Sequence, residues 1–253
     1  TIRDAAALAW VDVSTGAFHV QTCPTVGLPP PLARLAPREV LVGDSPDSWL
    51  RETIEETGAA VSELSRASFD STAAVDRLQT LFAVKSLDAF GTFARAELAA
   101  MGAIVDYLHI TQKGKLPLLK PPVAEATDTS MRIDAATRRN LELTRTVSGD
   151  RAGALLSVID RTITGSGARL LETRLNNPSR HLATVRRRLD AVSYFVENQQ
   201  VKNDLRSTLR KTPDMDRALT RLSLDRAGPR DVAAIRDGLT AAQAIFALIG
   251  DEN

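Results

Sequence analysis

The chain has a single cysteine, Cys23, so no disulfide can form within it; that suits a reducing compartment, where thiols stay free. Aromatic residues make up only 4% of the 253 residues, so aliphatic side chains must fill whatever core exists. Charge of one sign is also scarce, the formal net charge being +1. A module that grips duplex nucleic acid ordinarily carries a surplus of Lys and Arg to neutralise phosphates, and the chain as a whole has no such surplus. No stretch reads as an apolar run long enough to span a bilayer, and the first residues lack a signal-peptide pattern. A cytoplasmic protein with no membrane partner is the expectation. The 43% of hydrophobic residues still suffices to build one large domain or two of ordinary size.

Catalytic signatures are missing too. There is no G-x-x-x-x-G-K-[ST] phosphate loop; the nearest glycine cluster, Gly165-Ser166-Gly167, lacks the lysine that would reach the phosphates and reads as a turn or a close helix approach. No G-x-S-x-G elbow occurs. His19, His109 and His181 lie far apart; His109 shares a helical face with Asp106, but two ligands do not make a metal site. Cys23 sits beside a proline-rich stretch without an activating pattern. No catalytic, cofactor-binding or metal-ligating residue is assigned, and no cofactor is expected in this chain.

The patterning that is present divides the chain. Residues 5–13 and 17–22, separated by Ser14-Thr15-Gly16, read as a hairpin. Four prolines between Pro24 and Pro31 read as loop. Residues 39–43 and 59–64 read as short strands flanking a helix over 46–57, with Ser45 as its cap and Pro46 at its first position. Val75, Leu78 and Phe82 mark one helical face, and Leu98, Met101, Val105 and Leu108 another over 93–112. Residues 113–130, rich in proline and without periodicity, read as a linker or surface crossing. Beyond 130 only helices are expected. Asp134 caps one that runs through Leu141 and Leu143; Val185, Leu189, Val192 and Val196 form the buried stripe of another. Met215, Leu219 and Leu222 mark a third, after Thr212-Pro213. Val232, Ile235, Leu239, Ala242, Phe246 and Ile249 mark a last helix, still running where the sequence stops, as at a boundary inside a domain. The fold class is therefore α/β followed by an all-α segment.

Two features invite chemistry and have simpler explanations. A strand ending in Asp12 before a small-residue turn recurs in RNase H-like nucleases, which need further carboxylates around two metal ions. Asp44, Asp47 and Asp106 are the candidates, but no spacing compels them to converge, and Asp12 accepting turn N–H groups explains the pattern. The basic runs Arg138-Arg139 and Arg186-Arg187-Arg188 read as solvated helix surface rather than phosphate contacts.

Met131 through Leu143 (MRIDAATRRNLEL) resembles the opening of the core domain of MutS-type mismatch-repair proteins. So do Leu155–Thr162 (LLSVIDRT), Gly167–Leu171 (GARLL), Arg187–Val192 (RRLDAV), Arg221-Leu222 and Arg226–Asp231 (RAGPRD). Asp12–Phe18 (DVSTGAF), Pro37–Leu41 (PREVL) and Thr111–Gly114 (TQKG) resemble the connector domain of the same family. Each motif is weak alone, and their order is the strong signal. The resemblance implies an RNase H-like connector over 1–118 without nuclease activity, a linker over 119–130, and over 131–253 the first part of a helical core, cut before the DNA-encircling clamp. It also implies a short strand just ahead of the first residue, so a slightly trimmed connector. By the same resemblance ATP and Mg belong to an ATPase domain outside this sequence, mismatched duplex is gripped by other domains, and the intact protein is a homodimer. The family's mismatch-reading Phe-x-Glu is matched by Phe195-Val196-Glu197, but within a core helix, as a chance occurrence. The connector of bacterial members docks MutL, and the matching surface here is Asp76, Arg77, Gln79 and Lys85, with Asp76-Arg77 standing where the family has polar amides. The alternatives are a metal-dependent RNase H-like nuclease centred on Asp12, or a MutS relative without a mismatch-binding domain.

Overall fold

A computed structural model of the chain describes residues 5–112, 116–126 and 129–250; Lys113 and Gly114 of the connector motif lie outside them, as do 251–253 at the end of the sequence. The chain divides into two compact units, the first made of residues up to 127 together with 132–138, the second of 128–131 and everything from 139 onward. The expected α/β region followed by a helical region is present.

The first unit opens with the hairpin. Strand β1 (Ala5–Asp12) runs antiparallel to β2 (Ala17–Pro24), Trp10 opposite His19 and Asp12 opposite Ala17. Thr15 and Gly16 donate their N–H groups to the Asp12 carbonyl, and Gly16 takes the left-handed φ of +70° that closes the turn. The proline-rich stretch differs from the expected loop: a 3-10 turn, Thr25–Gly27, leads into helix α1 (Pro29–Leu35). Prolines are tolerated there because all three occupy the first turn, where N–H groups lack intrahelical acceptors anyway.

Strand β3 (Glu39–Gly43), helix α2 (Ser48–Glu55) and strand β4 (Ala60–Leu64) form a β-α-β unit with β3 and β4 parallel. Helix α2 starts two residues later than expected, with Asp47 and not Ser45 at the cap position. Ser45 instead turns the chain at φ +56°, since a following proline disfavours the right-handed helical region. Helices α3 (Ser71–Phe82) and α4 (Arg95–Thr111) follow as expected. The Asp70 carboxylate caps α3 by accepting from the N–H groups of Thr72 (2.9 Å) and Ala73 (2.7 Å).

The hairpin is covered on both faces. Phe18 and Val20 pack against Leu78, Met101, Val105 and Leu108, while Cys23, from the other face of β2, joins Ala6, Leu28, Leu32, Val42 and Ile54. The alternation of β2 sorts its side chains between these cores. A side chain on Gly102 would stand 2.3 Å from the Ala74 Cβ and 2.8 Å from its Cα, so this glycine sets the spacing of α3 and α4. Glu97 is buried at their side of the hairpin, yet both its oxygens are used, one by Thr22 Oγ1 (2.7 Å) and the other by the Ala94 N–H (2.8 Å). Residues 116–126 return to the hairpin, where β5 (Val123–Ala124) pairs parallel with β2. The sheet order is β1-β2-β5, with β3-β4 a separate pair.

Helix α5 (Ala135–Asn140) begins after Asp134, whose carboxylate accepts from the Thr137 N–H (2.9 Å) and hydroxyl (2.7 Å). It stops short of Leu141 and Leu143, against expectation, because Glu142 turns left-handed at φ 45° and the chain doubles back, the N–H groups of Leu155 and Leu156 donating to the Glu142 and Leu143 carbonyls.

In the second unit follow α6 (Leu155–Ile159), α7 (Gly165–Asn176), α8 (Leu182–Glu197), α9 (Gln199–Arg210), α10 (Met215–Ser223) and α11 (Pro229–Ile249), with no strand among its described residues apart from a lone bridge between Ser130 and Ser179. Thr164 caps α7 by accepting from the Gly167 N–H at 3.0 Å, which is the role of the Gly165-Ser166-Gly167 cluster. Arg169 grips Asp214 through two bonds (2.8 and 3.2 Å), tying α7 to the start of α10. That hydrogen bonding, with the N–H of Arg217, holds the Asp214 carboxyl below its ordinary range.

The helices stand where the periodicity puts them, but the faces they bury differ. On α8, Val185 of the expected stripe is partly covered, but Leu189, Val192 and Val196 are exposed, while Thr184, Arg188, Tyr194 and Phe195 are partly covered. On α10 the buried residues are Ala218 and Thr220 rather than Leu219 and Leu222. On α11 only Gly238 is buried, directly against Met215, while Leu239 is 59% and Phe246 75% exposed. Small residues allow helix axes to approach, so the contact seam follows them and the large aliphatic side chains face outward. Helix α11 also corrects the expectation about bilayer-length runs: it has 21 residues and a window of mean hydropathy 1.5. It is nonetheless packed against α9 and α10 and carries Arg236 and Asp237 at its middle.

Candidate functional site

Asp12 is held by its own turn. Its Oδ1 accepts from the Ser14 N–H at 2.8 Å and the Ser14 hydroxyl at 2.7 Å, the Asx-type arrangement that such a sequence favours. Asp106 lies on α4 and faces Arg77 at 3.7 Å. Among the described residues no group of three His, Cys, Asp or Glu side chains is placed to hold a metal ion. The carboxylates that a two-metal nuclease needs are therefore not brought together.

The four residues of the expected partner surface gather around the C-terminal half of α3 and the loop after it, and the structure separates their roles. Asp76 and Lys85 are exposed to solvent. Arg77 is committed inward, donating to the carbonyls of Ser68 (3.0 Å) and Ala67 (3.3 Å) while it faces Asp106. The Gln79 amide donates to the Lys85 carbonyl at 3.0 Å, bracing the turn in which Ala83 adopts φ 52°. Two of the four thus present charge, and two fix the shape beneath it. The basic runs divide similarly: Arg186 and Arg187 are exposed, whereas Arg138 is partly buried, and burial, reinforced by nearby Arg34, pushes its guanidinium below its ordinary value.

A second cluster, on the opposite face of the hairpin from α3 and α4, had no signature in the sequence. Trp10 and His19 stack across the strands with ring centres 5.5 Å apart and an interplanar angle of 12°. The Arg34 guanidinium, from α1, lies 5.2 Å from the Trp10 ring centre. Arg34 donates to Glu125 at 2.8 Å and to the Gln21 side-chain carbonyl at 3.4 Å. The His19 Nδ1 is buried without a hydrogen-bond partner, 3.6 Å from the Glu125 carboxylate. Burial pushes the imidazole below its ordinary 6.5, with Arg34 adding to the shift and Glu125 opposing it. Arg34 and Glu125 stand 91 residues apart, and no local pattern links such a pair.

Comparison with known proteins gives the arrangement a context. Residues 2–120 match the family described as MutS domain II, and residues 136–253 the family described as MutS domain III. The chain is 60% identical over 245 residues to the DNA mismatch repair protein MutS of Cereibacter sphaeroides, with 96% of the chain aligned. It is 60% identical over 248 residues to that of Ruegeria pomeroyi, with 98% aligned, and 56% identical over 252 residues to that of Paracoccus denitrificans, with the whole chain aligned. It spans 28% of the length of each of these relatives.

Proposed function

Because the chain belongs to the MutS family of DNA mismatch-repair proteins, we propose that it is a relay with no chemistry of its own. In this reading a connector and the opening part of a helical core pass ATP- and mismatch-dependent changes of shape between other parts of the protein. The observation that carries the reading is the ordered match of both domain families along the chain, with the α/β fold under the first and helices under the second. Relaying needs packed elements with two arrangements rather than a reactive residue. The complete protein then works as an ATPase with ATP and Mg, as a homodimer, gripping mismatched duplex through its other domains.

The α/β unit also presents the docking surface for MutL, centred on Asp76 and Lys85. Their exposure supports this, as does the bracing of the surface from below by Arg77 and Gln79. Charge reversal at Asp76 tests it cleanly, because that side chain is exposed on the helix, whereas reversal at Arg77 would also strip two carbonyls of their donor. In the full-length protein, Asp76→Lys with Lys85→Glu is expected to weaken crosslinking to MutL while mismatch binding persists. Crosslinking at the original level would reject the surface.

A further inference from the structure

Residues 116–126 are anchored in two unlike ways. The first part is built in: Pro117 and Leu119 are buried, and the Lys120 N–H donates to the Gly16 carbonyl at 2.8 Å. The Leu118 carbonyl oxygen lies 2.0 Å from where a Gly16 side chain would begin, so the strap crosses the hairpin turn at a place only glycine leaves open. Past Pro121-Pro122 the attachment changes. Strand β5 pairs only two residues with β2, and Val123 is 53% exposed; so short a ladder holds little by itself. Glu125 makes the side-chain attachment at this end, its carboxylate accepting from Arg34 while its N–H donates to the Val20 carbonyl (2.8 Å).

The receiving side is assembled without the strap. Arg34 is oriented by the Trp10 face and by Gln21, and Trp10 is stacked on His19, all within α1 and the hairpin. The pair is largely shielded, with 13% of the Arg34 and 26% of the Glu125 side chain exposed, and so escapes most of the screening that makes surface ion pairs weak. The two prolines have fixed φ and no N–H to add to the ladder, so they contribute nothing to holding the tip beyond them.

We propose that residues 121–126 are a releasable latch: Glu125 seats in a socket of Trp10, His19, Gln21 and Arg34, and its loss frees the tip while the root over Gly16 stays in place. The latch rests on the relay reading for its purpose only, as a local two-state element on the surface of the α/β unit. Hydrogen exchange on the full chain, compared with Glu125→Gln, tests it. Loss of the carboxylate's charge, with only a neutral amide oxygen left to accept from Arg34, is expected to speed exchange of the 123–126 amides up to about ten-fold, with β1, β2 and α4 unchanged. Arg34→Gln, which empties the socket from the other side, is expected to give the same local pattern. Exchange of 123–126 at the original rate in Glu125→Gln overturns the proposal, and so does acceleration spread equally over β1 and β2. Neither result bears on MutL crosslinking, so the latch and the docking surface fail separately.

Discussion

The two units use similar helices to different ends. In the α/β unit the periodic aliphatic residues are the core: Leu78 and Met101 are wholly buried, and Val105 and Leu108 nearly so. In the helical unit most of the large periodic residues are left outside, with Val185, Met215 and Ile235 only partly covered, and the fully buried residues of α10 and α11 are Ala218, Thr220 and Gly238. The difference teaches that a hydrophobic stripe states which face is apolar, not what covers it. Around the hairpin the covering helices α3 and α4 lay their stripes directly on Phe18 and Val20, so stripe and core coincide. Among α8–α11 the close contacts follow small residues, and the stripes remain accessible.

Substitutions can break or sharpen that contrast. Leu78→Ala should have the largest effect, lowering stability by about 2–5 kcal/mol in urea unfolding, because it empties a closed site. Gly102→Ala should follow at about 1–3 kcal/mol, since the added methyl meets the Ala74 backbone, which cannot step aside. Gly238→Ala is the matched change in the helical unit. There the methyl meets the Met215 side chain at Sδ and Cγ rather than any backbone, and the helix gains about 1 kcal/mol from losing a glycine, so once that side chain rotates aside thermal melting should shift little. A Gly238→Ala loss as large as that of Gly102→Ala would erase the distinction.

The pH dependence expected of His19 is smaller. Its folded imidazole is depressed below 6.5 by burial, so below that pH the unfolded chain binds the proton more readily. Its contribution is complete above pH 6.5 and declines as pH falls toward the folded value, beneath which the slope vanishes. Unfolding titrations of the chain and of His19→Gln between pH 7.5 and about 5 should differ in slope over that window; parallel curves would remove His19 from the account. Smallest of all should be Phe246→Ser, within about 0.5 kcal/mol despite the loss of a phenyl ring, because that ring is 75% exposed.

Much of this was legible beforehand, for identifiable reasons. The hairpin follows from Ser14-Thr15-Gly16 between two β-favouring runs, and the strands at 39–43 and 60–64 and the helices over 71–82 and 95–111 follow from local pattern and turns. Local rules misjudged the ends. Prolines at 29–31 start a helix rather than break one, Pro46 displaces the cap from Ser45 to Asp47, and a left-handed Glu142 ends α5 early. The Asp12 turn was readable because its partners lie within four residues. The Arg34–Glu125 cluster was not, since it depends on a strap returning across most of the unit. Nor could sequence distinguish Arg77 from Asp76, adjacent charges of which only one is drawn inward by the Ala67 and Ser68 carbonyls.

The passage of Leu118 over Gly16 has a kinetic consequence. These residues are separated by about a hundred positions, making theirs among the costliest loops in the α/β unit to close. The hairpin can form from neighbouring residues alone, whereas residues 116–120 have no docking place until its turn exists. Docking of residues 116–120 should therefore come late in the assembly of this unit, and Gly16 keeps the vacancy open until that segment arrives.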